Sequence, residues 1–487
     1  MQKRPAGPRG TDAALMRILK YFIITTMLIS LQGTCPPGFA DTPGGSAFNW
    51  NLWRGPDRNG ISKETEWDPE FLKKSLKLNW TADVGFGLSN VSIYGEYLYT
   101  SGSPVNSDTN IIYCLYTATG EEKWRYSYRS VRSSDWVPMN DENYQNDLSG
   151  PRATPVVFDD RVYTLGQDGD FLCNEAFTGK LLWHKNINRE FSAYPPSWQF
   201  TSSVHIEGDM AVVNAGKAGL ALNRLTGEAV WDNGKGIGNY STPLPYTANG
   251  RRRIALFGQH ELYGLDASSG NILWSYPWKT KIFVTGADPA ICKNGVLFIV
   301  SLFEVGCALI DVSEDKPVTL WRNSNLKTQY RTPIVIGDHI YGIDQPPGSP
   351  DKLTCLDVRN GSVSWSQVIP DDPGLTAANG HLFVLNQLGD LRVVRADPDK
   401  YTEISFKKRI MARSCIPTPV LCGATLYIKN HKGKIISIDV SKNRKFSLKD
   451  YNYFLYRAGS ILKNIAFWIY DRAKDIIRQA GRLQNYF

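Results

Sequence analysis

The sequence predicts an all-β protein, an eight-bladed β-propeller of four-stranded antiparallel blades followed by a C-terminal amphipathic helix. Three observations lead to this prediction. An aromatic residue recurs at intervals that are in the forties in all but one case, a Thr-Gly type of turn precedes most of these aromatics, and an apolar strand often opens with Thr-Pro. Each interval has room for four short strands, which is the size of one propeller blade.

The recurring aromatic residue marks the start of the fourth strand in each unit. Successive spacings are 44, 59, 48, 43, 47, 44 and 41 residues. Because a large ring on an outer strand can lie flat between adjacent blades, we predict a structural, blade-locking role for the whole set. Its members are Trp80, Trp124, Trp183, Trp231, Trp274, Trp321, Trp365 and Phe406.

The starts of the units repeat as well. Thr-Pro opens an apolar strand in Ala153–Val157, Ser241–Pro245, Arg331–Val335 and Pro417–Leu421. Proline is tolerated at a strand start because its missing N–H need not join a ladder.

The eighth unit begins at Pro417 and has only a weak final strand. Leu76–Val84, at the other end of the repeats, has no blade of its own. We therefore predict that it completes the eighth blade, because joining the two ends leaves no open edge. The alternative is that Lys445–Leu448 supplies the missing strand and Trp80 packs elsewhere.

The charge distribution divides the chain into a body and two basic ends. Residues 1–40 carry five Lys/Arg and one Asp, and residues 441–487 carry ten Lys/Arg and three Asp. Of the net charge of +8, this leaves −3 for residues 41–440. A mildly acidic body lacks the basic face that nucleic-acid binding requires, so no nucleic-acid partner is expected.

An export signal is predicted within the N-terminal extension, residues 1–40. Arg17 and Lys20 precede the apolar stretch Tyr21–Leu31, which is too short to span a bilayer, and small residues lead up to Ala40. We predict translation from Met16, cleavage near Ala40 and a periplasmic or secreted protein. The alternative is an uncleaved amphipathic segment.

The remaining divisions follow the repeats. Residues 41–75 are predicted as an N-terminal segment, residues 76–444 as the propeller and residues 445–487 as a basic helical tail. Seven cysteines follow the predicted cleavage site. Cys114, Cys173 and Cys355 share one repeat position, which predicts buried strand thiols, and the sequence leaves open whether Cys415 and Cys422 pair.

Together these motifs resemble the PQQ-like β-propeller repeat family. The matching stretches are "LDASSGNILW", "LDVRNGSVSW" and the opening "WNLWRGPDRNGIS", and the resemblance covers residues 50–440. The family includes quinoprotein dehydrogenases and also the non-catalytic propeller of the outer-membrane barrel-assembly machine. The resemblance therefore implies the fold and leaves the activity open.

Catalytic signatures are missing from the sequence. The dehydrogenases of this family use PQQ with calcium and often a disulfide between adjacent cysteines, whereas no two cysteines are adjacent here and no C-x-x-C-H haem motif occurs. The six histidines are scattered singly, which predicts no metal site. No cofactor is expected; PQQ and calcium belong to the alternative of a PQQ-dependent alcohol or sugar dehydrogenase.

Binding residues are predicted on loops rich in aromatics and proline. The insertion Tyr128–Arg152 and the connection Asn188–Phe200 lie on either side of the second unit, and further aromatics stand just before first strands. The other interpretation is that these loops only cap the blades. The candidate ligand-binding residues are Trp136, Tyr144, Arg152, Tyr194, Trp198, Tyr240, Tyr330 and Arg331.

The tail has apolar residues at three- and four-residue spacings between Gly459 and Leu483, with basic residues among them. This pattern predicts an amphipathic helix at 459–483 that either contacts a membrane or partner, or packs on the propeller.

The sequence thus predicts an exported, non-catalytic and monomeric binding or scaffold propeller whose ligand is a protein, a peptide or a carbohydrate. A cell-envelope or outer-membrane protein assembly factor is a second alternative.

Overall fold

The structure, a computed structural model, describes residues 49–105, 107–130, 150–302 and 305–442. Of the nine sheets in these residues, eight contain four antiparallel strands each, and these strands are consecutive in the chain in seven of the eight. One of the eight has a fifth, parallel strand, and the ninth sheet is a two-stranded parallel pair. First strands of neighbouring blades contact one another, and fourth strands carry exposed side chains. The predicted eight-bladed propeller is confirmed. The predicted signal peptide and C-terminal helix lie outside the described residues.

The N-terminal part contributes two strands and a 3-10 turn, Phe71–Lys73, before the first complete blade. The strands of this part and of blades 1 and 2 are β1 (Ile61–Ser62), β2 (Leu78–Asp83), β3 (Ser92–Tyr94), β4 (Tyr97–Gly102), β5 (Thr109–Tyr116), β6 (Glu122–Arg129), β7 (Val156–Phe158), β8 (Arg161–Leu165), β9 (Asp170–Glu175) and β10 (Leu181–Asn186). Helix α1 (Ile187–Phe191) follows blade 2. Next come β11 (Ala193–Tyr194), then blade 3 with β12 (His205–Glu207), β13 (Met210–Val213), β14 (Leu220–Asn223) and β15 (Ala229–Asp232).

A short strand, β16 (Gly236–Ile237), separates blades 3 and 4 and pairs in parallel with β11. Blades 4 and 5 comprise β17 (Leu244–Ala248), β18 (Arg251–Phe257), β19 (Glu261–Asp266), β20 (Ile272–Pro277), β21 (Ala290–Lys293), β22 (Val296–Ser301), β23 (Gly306–Asp311) and β24 (Val318–Asn323). Blades 6 to 8 comprise β25 (Ile334–Ile336), β26 (His339–Asp344), β27 (Lys352–Asp357), β28 (Val363–Val368), β29 (Gly374–Ala378), β30 (His381–Leu385), β31 (Leu391–Arg395), β32 (Glu403–Lys407), β33 (Val420–Cys422), β34 (Thr425–Lys429) and β35 (Lys434–Asp439).

The ring is closed by the N-terminal strand β2. It pairs antiparallel with β35, from Leu78 opposite Ile438 to Asp83 opposite Lys434. Blade 8 therefore contains β33, β34, β35 and β2, as the unpaired first strand of the repeats predicted. The alternative closing strand, Lys445–Leu448, lies outside the described residues.

Two faces follow from the antiparallel order of the strands. The connections between blades and the loops between second and third strands lie on one side, here called the inter-blade face. The tight turns between first and second strands, and between third and fourth strands, lie on the other side, here called the turn face.

A chain of hydrogen bonds links the starts of the first strands around the central channel. The Asn90 N–H donates to Thr154 Oγ1 (3.0 Å), the Thr154 N–H to Ser203 Oγ (3.1 Å) and the Ser203 N–H to Thr242 Oγ1 (3.1 Å). The Thr242 N–H then donates to Asp288 Oδ1 (2.7 Å), and the Asp288 N–H to Thr332 Oγ1 (2.9 Å). This girdle explains the repeated threonine, because its hydroxyl satisfies a buried N–H of the preceding blade.

Residues 50–62 enter the central channel and form what we call the channel plug. Trp50 exchanges backbone hydrogen bonds with Ile93 of blade 1, and Asn51 accepts one from the Val157 N–H of blade 2. β1 pairs in parallel with β29, the first strand of blade 7. The plug therefore contacts first strands on several sides of the ring, although residues 41–75 carry no repeat.

The deepest part of the plug reaches the girdle. Trp53 Nε1 donates to Asp288 Oδ2 (2.7 Å), and Arg54 Nη2 donates to the Pro333 carbonyl (2.7 Å). Burial lowers the pKa of Arg54 to about 10, and the charge of Asp288 opposes this shift. The chain then returns to the turn face, where Glu64 Oε1 accepts the Gly423 N–H (2.8 Å).

The repeated tryptophans lie at the seams between blades. Five of their indole N–H groups donate to a backbone carbonyl of the next blade at 2.7–3.0 Å: Trp80 to Thr117, Trp124 to Ala176, Trp183 to Arg224, Trp321 to Val358 and Trp365 to Asp397. Trp231 packs on Gly270 of the next blade, whereas Trp274 donates to Tyr246 within its own blade (3.0 Å). Phe406 has no N–H, and the Arg392 guanidinium lies 4.3 Å from its ring centroid.

The cysteines of the described residues are free thiols. Cys114, Cys173 and Cys355 are buried, as their shared repeat position predicted, and Cys415 and Cys422 do not pair. No helix within the described ranges is long and apolar enough to cross a membrane.

Candidate functional site

The candidate ligand-binding residues that the structure describes gather on the inter-blade face. Trp136 and Tyr144 lie outside the described residues. Arg152, Tyr240 and Tyr330 occupy equivalent places, each two residues before a girdle threonine. These three residues therefore lie at equivalent positions just before the first strands of blades 2, 4 and 6.

Three of the candidates form a first group over blades 2 to 4. The Trp198 and Tyr240 rings lie 5.9 Å apart, and the Trp198 N–H donates to Tyr240 Oη (3.2 Å). Burial raises the pKa of Tyr240, and the nearby positive charge of Arg152 opposes the shift. Tyr240 is thus a neutral, buried hydroxyl that holds the connection before blade 3 in place.

Tyr330 and Arg331 form a second group around Asp372 of blade 7. Arg331 Nε and Nη2 donate to the two carboxylate oxygens of Asp372 at 2.8 and 2.7 Å, and Tyr330 Oη donates to the same carboxylate. Gln345 Nε2 and Gln387 Nε2 add bonds of 2.9 and 2.8 Å. Burial alone would lower the pKa of Arg331, but the charge of Asp372 outweighs it and raises the pKa.

This second group is a structural joint between blades 6, 7 and 8. Arg331 Nη1 also donates to the Ile416 carbonyl at 2.7 Å, and the side chain of Arg331 is only 5% exposed. Because its donors and the carboxylate oxygens of Asp372 are already bonded within the protein, Arg331 is poorly placed to bind a ligand.

Tyr194 stands apart from both groups and is 49% exposed. It lies on β11, directly opposite Ile237 of β16, which is 40% exposed. Ile237 and two further exposed apolar residues, Ile282 and Phe283 (46% and 41%), are not among the residues predicted from the sequence. The sequence marks these residues only weakly, because the stretches that contain them, "GKGIG" and "KTKIF", occur once each and belong to no repeat.

The family model and the curated relatives that match this sequence carry the same description. The family model described as outer membrane protein assembly factor BamB matches residues 108–367. The outer membrane protein assembly factor BamB of Burkholderia pseudomallei (strain K96243) is 26% identical over 288 residues, which cover 51% of this chain and 70% of that protein. That of Moranella endobia (strain PCIT) is 21% identical over 316 residues, 61% of this chain and 76% of that protein.

Solved structures resemble the fold at low sequence identity. BamB from Moraxella catarrhalis superposes with a TM-score of 0.55 at 12% identity, covering 77% of this chain and all of that one. The quinohemoprotein alcohol dehydrogenase from Comamonas testosteroni superposes with a TM-score of 0.58 at 14% identity, covering 84% and 82%. At these identities the likeness concerns the fold alone.

The fold of the dehydrogenases raises the question whether PQQ and calcium fit here. Calcium requires several oxygen ligands, commonly carboxylates. Within the described ranges no three His, Cys, Asp or Glu side chains are grouped for a metal ion. Asp372 is bonded to Arg331, Tyr330 and two glutamines, and Asp288 to Trp53 and the Thr242 N–H. The described residues therefore offer no group of carboxylates for the calcium ion that accompanies PQQ.

Proposed function

The chain belongs to the PQQ-like β-propeller repeat family, and from this membership we propose that it is an exported, non-catalytic binding propeller that serves protein assembly in the cell envelope. The curated relatives that match are outer membrane protein assembly factors by name. The proposal extends their role to this chain.

One observation carries the proposal. Five exposed apolar side chains lie on the inter-blade connections from blade 2 to blade 6, where Tyr194, Ile237, Ile282, Phe283 and Tyr330 are 36–49% exposed. Most other exposed apolar side chains of the described residues lie on fourth strands, at the outer rim of the propeller. Exposed apolar groups on neighbouring loops are typical of surfaces that bind another protein. A protein or peptide partner is therefore favoured over a carbohydrate.

The position of the channel plug also favours the inter-blade face as the binding surface. The plug fills the turn side of the channel and bonds to the girdle through Trp53, so a ligand at the axis would approach from the inter-blade face.

The remaining parts of the proposal come from the sequence. Export follows from the predicted signal in residues 1–40, and peripheral membrane contact through 459–483 stays an open alternative to packing on the propeller. Arg152, Trp198 and Tyr240 support the loops of the binding face, whereas Tyr194 contributes a contact side chain.

Site-specific photo-cross-linking in cells tests the proposal. The photoreactive residue p-benzoylphenylalanine replaces Tyr194 or Ile237 on the inter-blade face, or Glu121 or Lys293 on the turn face as matched controls. We expect adducts with an envelope protein from the first pair and none from the second. Equal adducts from both faces, or none from either, would contradict the proposal.

A further inference from the structure

We propose that the inter-blade face over blades 3 to 5 binds an acidic polypeptide segment that also carries apolar side chains. The surface consists of Lys217, Lys235, Ile237, Lys279, Lys281 and Phe283, here called the lysine–apolar patch. This inference rests on the proposed function, because it names the chemistry of the partner that the inter-blade face takes.

The first half of the patch is held together by backbone contacts between three loops. The Gly236 N–H donates to the Ser192 carbonyl (3.2 Å), which places Ile237 beside Tyr194. The Lys217 N–H donates to the Gly234 carbonyl (3.0 Å). Lys217, Lys235 and Ile237 therefore lie on adjoining loops, although they come from two different connections.

The second half continues from the first across blade 4. A Cβ placed on Gly258 would lie 3.1 Å from the Lys217 carbonyl oxygen, so the loop at 258–260 adjoins Lys217. The His260 ring in that loop packs edge-on against the Phe283 ring, with 4.7 Å between the ring centroids. The backbone N–H of Trp278 donates to the His260 carbonyl (2.8 Å). The patch is thus continuous from Tyr194 to Phe283.

The charge of the patch is of one sign. All four lysines are exposed, and in the described part of the chain none of them forms an ion pair within 4.0 Å. Lys279 Nζ lies 5.7 Å from the Phe283 ring centroid. Two acidic residues border the patch: Asp232, whose Oδ1 accepts the Gly234 N–H (2.9 Å), and the partly exposed Glu261, which follows His260. On a body with net charge −3, this concentration of lysine is a local exception.

Phe283 is held in an unfavourable backbone conformation. Its φ of 58° lies in the left-handed region, which is unfavourable for a bulky residue. The ring is nevertheless 41% exposed, so this conformation gains no full burial of the side chain. Strain that keeps an aromatic ring at the surface is characteristic of binding loops.

The combination of exposed lysines with exposed apolar side chains indicates which class of molecule the patch binds. Four separated lysines complement carboxylates, and Ile237, Ile282 and Phe283 offer contacts that a purely charged ligand would leave unused. A polypeptide that intersperses Asp or Glu with apolar side chains satisfies both. A nucleic acid or an anionic membrane would satisfy the charge alone, and both become outcomes of the test.

The test measures binding to the purified chain of residues 41–487 by fluorescence anisotropy. The probe is a short labelled peptide that alternates Glu with Leu and Phe. Comparison peptides replace Glu by Lys, or Leu and Phe by Ser. We expect Lys279→Glu combined with Lys281→Glu to weaken binding of the probe about tenfold or more, and either comparison peptide to bind much more weakly.

The matched control combines Lys180→Glu with Lys293→Glu, which makes the same charge change at exposed positions of the turn face. The control is expected to bind like the wild type. Equal weakening in both variants, equal binding of the Glu–Ser peptide, or displacement of the probe by phosphatidylglycerol vesicles or single-stranded DNA would overturn the inference. The thermal transition of each variant identifies any loss of folding.

This experiment is independent of the cross-linking experiment. If Tyr194 and Ile237 cross-link to an envelope protein but charge reversal leaves peptide binding unchanged, the proposed function stands and the acidic partner is wrong. If the peptide binds through the lysines but no cross-link forms in cells, the patch does bind acidic polypeptides and the proposed function fails.

Discussion

At the scale of single residues, Trp183 shows how the repeat encodes contacts between blades. Its indole N–H donates to the Arg224 carbonyl of blade 3, and its ring lies against Gly227 in the Thr-Gly turn of the same blade. Gly227 has φ +76°, and a Cβ there would lie 2.9 Å from the indole. The glycine is thus needed for the turn and for the tryptophan of the preceding blade.

This contact predicts a difference between two glycine substitutions. Gly227→Ala is expected to lower the free energy of unfolding by about 2–4 kcal/mol, because positive φ and steric overlap with Trp183 act together. Gly250→Ala is the matched control, since Gly250 has φ +72° with nothing near its Cβ position, and should cost about 1 kcal/mol. Urea unfolding of both variants measures the difference; equal losses would contradict the packing role.

Lys429 is a second residue with a measurable consequence. It is fully buried in blade 8, and its Nζ donates to the Gly87 carbonyl (2.8 Å). Burial lowers its pKa from 10.5 to about 7, and the charge of Asp83 opposes the shift. Between these two pH values the unfolded chain therefore binds more protons than the folded protein, and stability rises with pH across this window.

The predicted pH dependence is tested with Lys429→Met, which retains the length of the side chain without its charge. From pH 7 to pH 10 the wild type should gain free energy of unfolding relative to the variant, by at most about 1.4 kcal/mol per pH unit. Urea unfolding at several pH values measures both proteins. A constant difference between them across the window would show that Lys429 does not titrate there.

At the scale of elements, β2 and the channel plug have separate tasks. β2 closes blade 8 against β35, whereas residues 50–62 fill the channel and bond to the girdle. Both belong to the N-terminal part of the chain, but only β2 carries a member of the aromatic repeat, Trp80. Removing one without the other separates their contributions.

Two shortened chains make this separation. A chain of residues 64–487 lacks the plug and retains β2, and we expect it to stay monomeric with reduced stability. A chain of residues 85–487 also lacks β2, exposes the edge of β35 and should aggregate or unfold without cooperativity. Size-exclusion chromatography and thermal unfolding distinguish them. A monomeric, cooperative 85–487 chain would show that β2 is not the closing strand.

The elements also show which features were predictable from the sequence. The blades, the ring closure and the seam tryptophans follow from a pattern that recurs in every unit, so each occurrence supports the others. The plug, the pairing of Tyr194 with Ile237 and the bonding of Arg331 to Asp372 occur once each. They join residues distant in sequence, and no local periodicity marks them. Arg331 illustrates the limit, because a funnel position predicted ligand contact and the structure gives it a bonded partner.

At the scale of the whole molecule, the propeller has two unlike faces. The turn face receives the channel plug and carries both described chain ends, at Asn49 and Lys442. The inter-blade face carries Tyr194, Ile237 and the exposed lysines of the lysine–apolar patch, which form no ion pair among the described residues. The two faces therefore differ in chemistry, and the proposed partner is expected at the inter-blade face.

The central proposal is that this propeller binds a partner and does not catalyse oxidation with PQQ. The most direct measurement adds PQQ and Ca²⁺ to purified residues 41–487 and follows cofactor binding by absorbance and equilibrium dialysis, together with dye reduction on alcohols and sugars. The bonded carboxylates of Asp288 and Asp372 predict no stoichiometric binding and no turnover. Stoichiometric PQQ binding accompanied by dye reduction would contradict the claim.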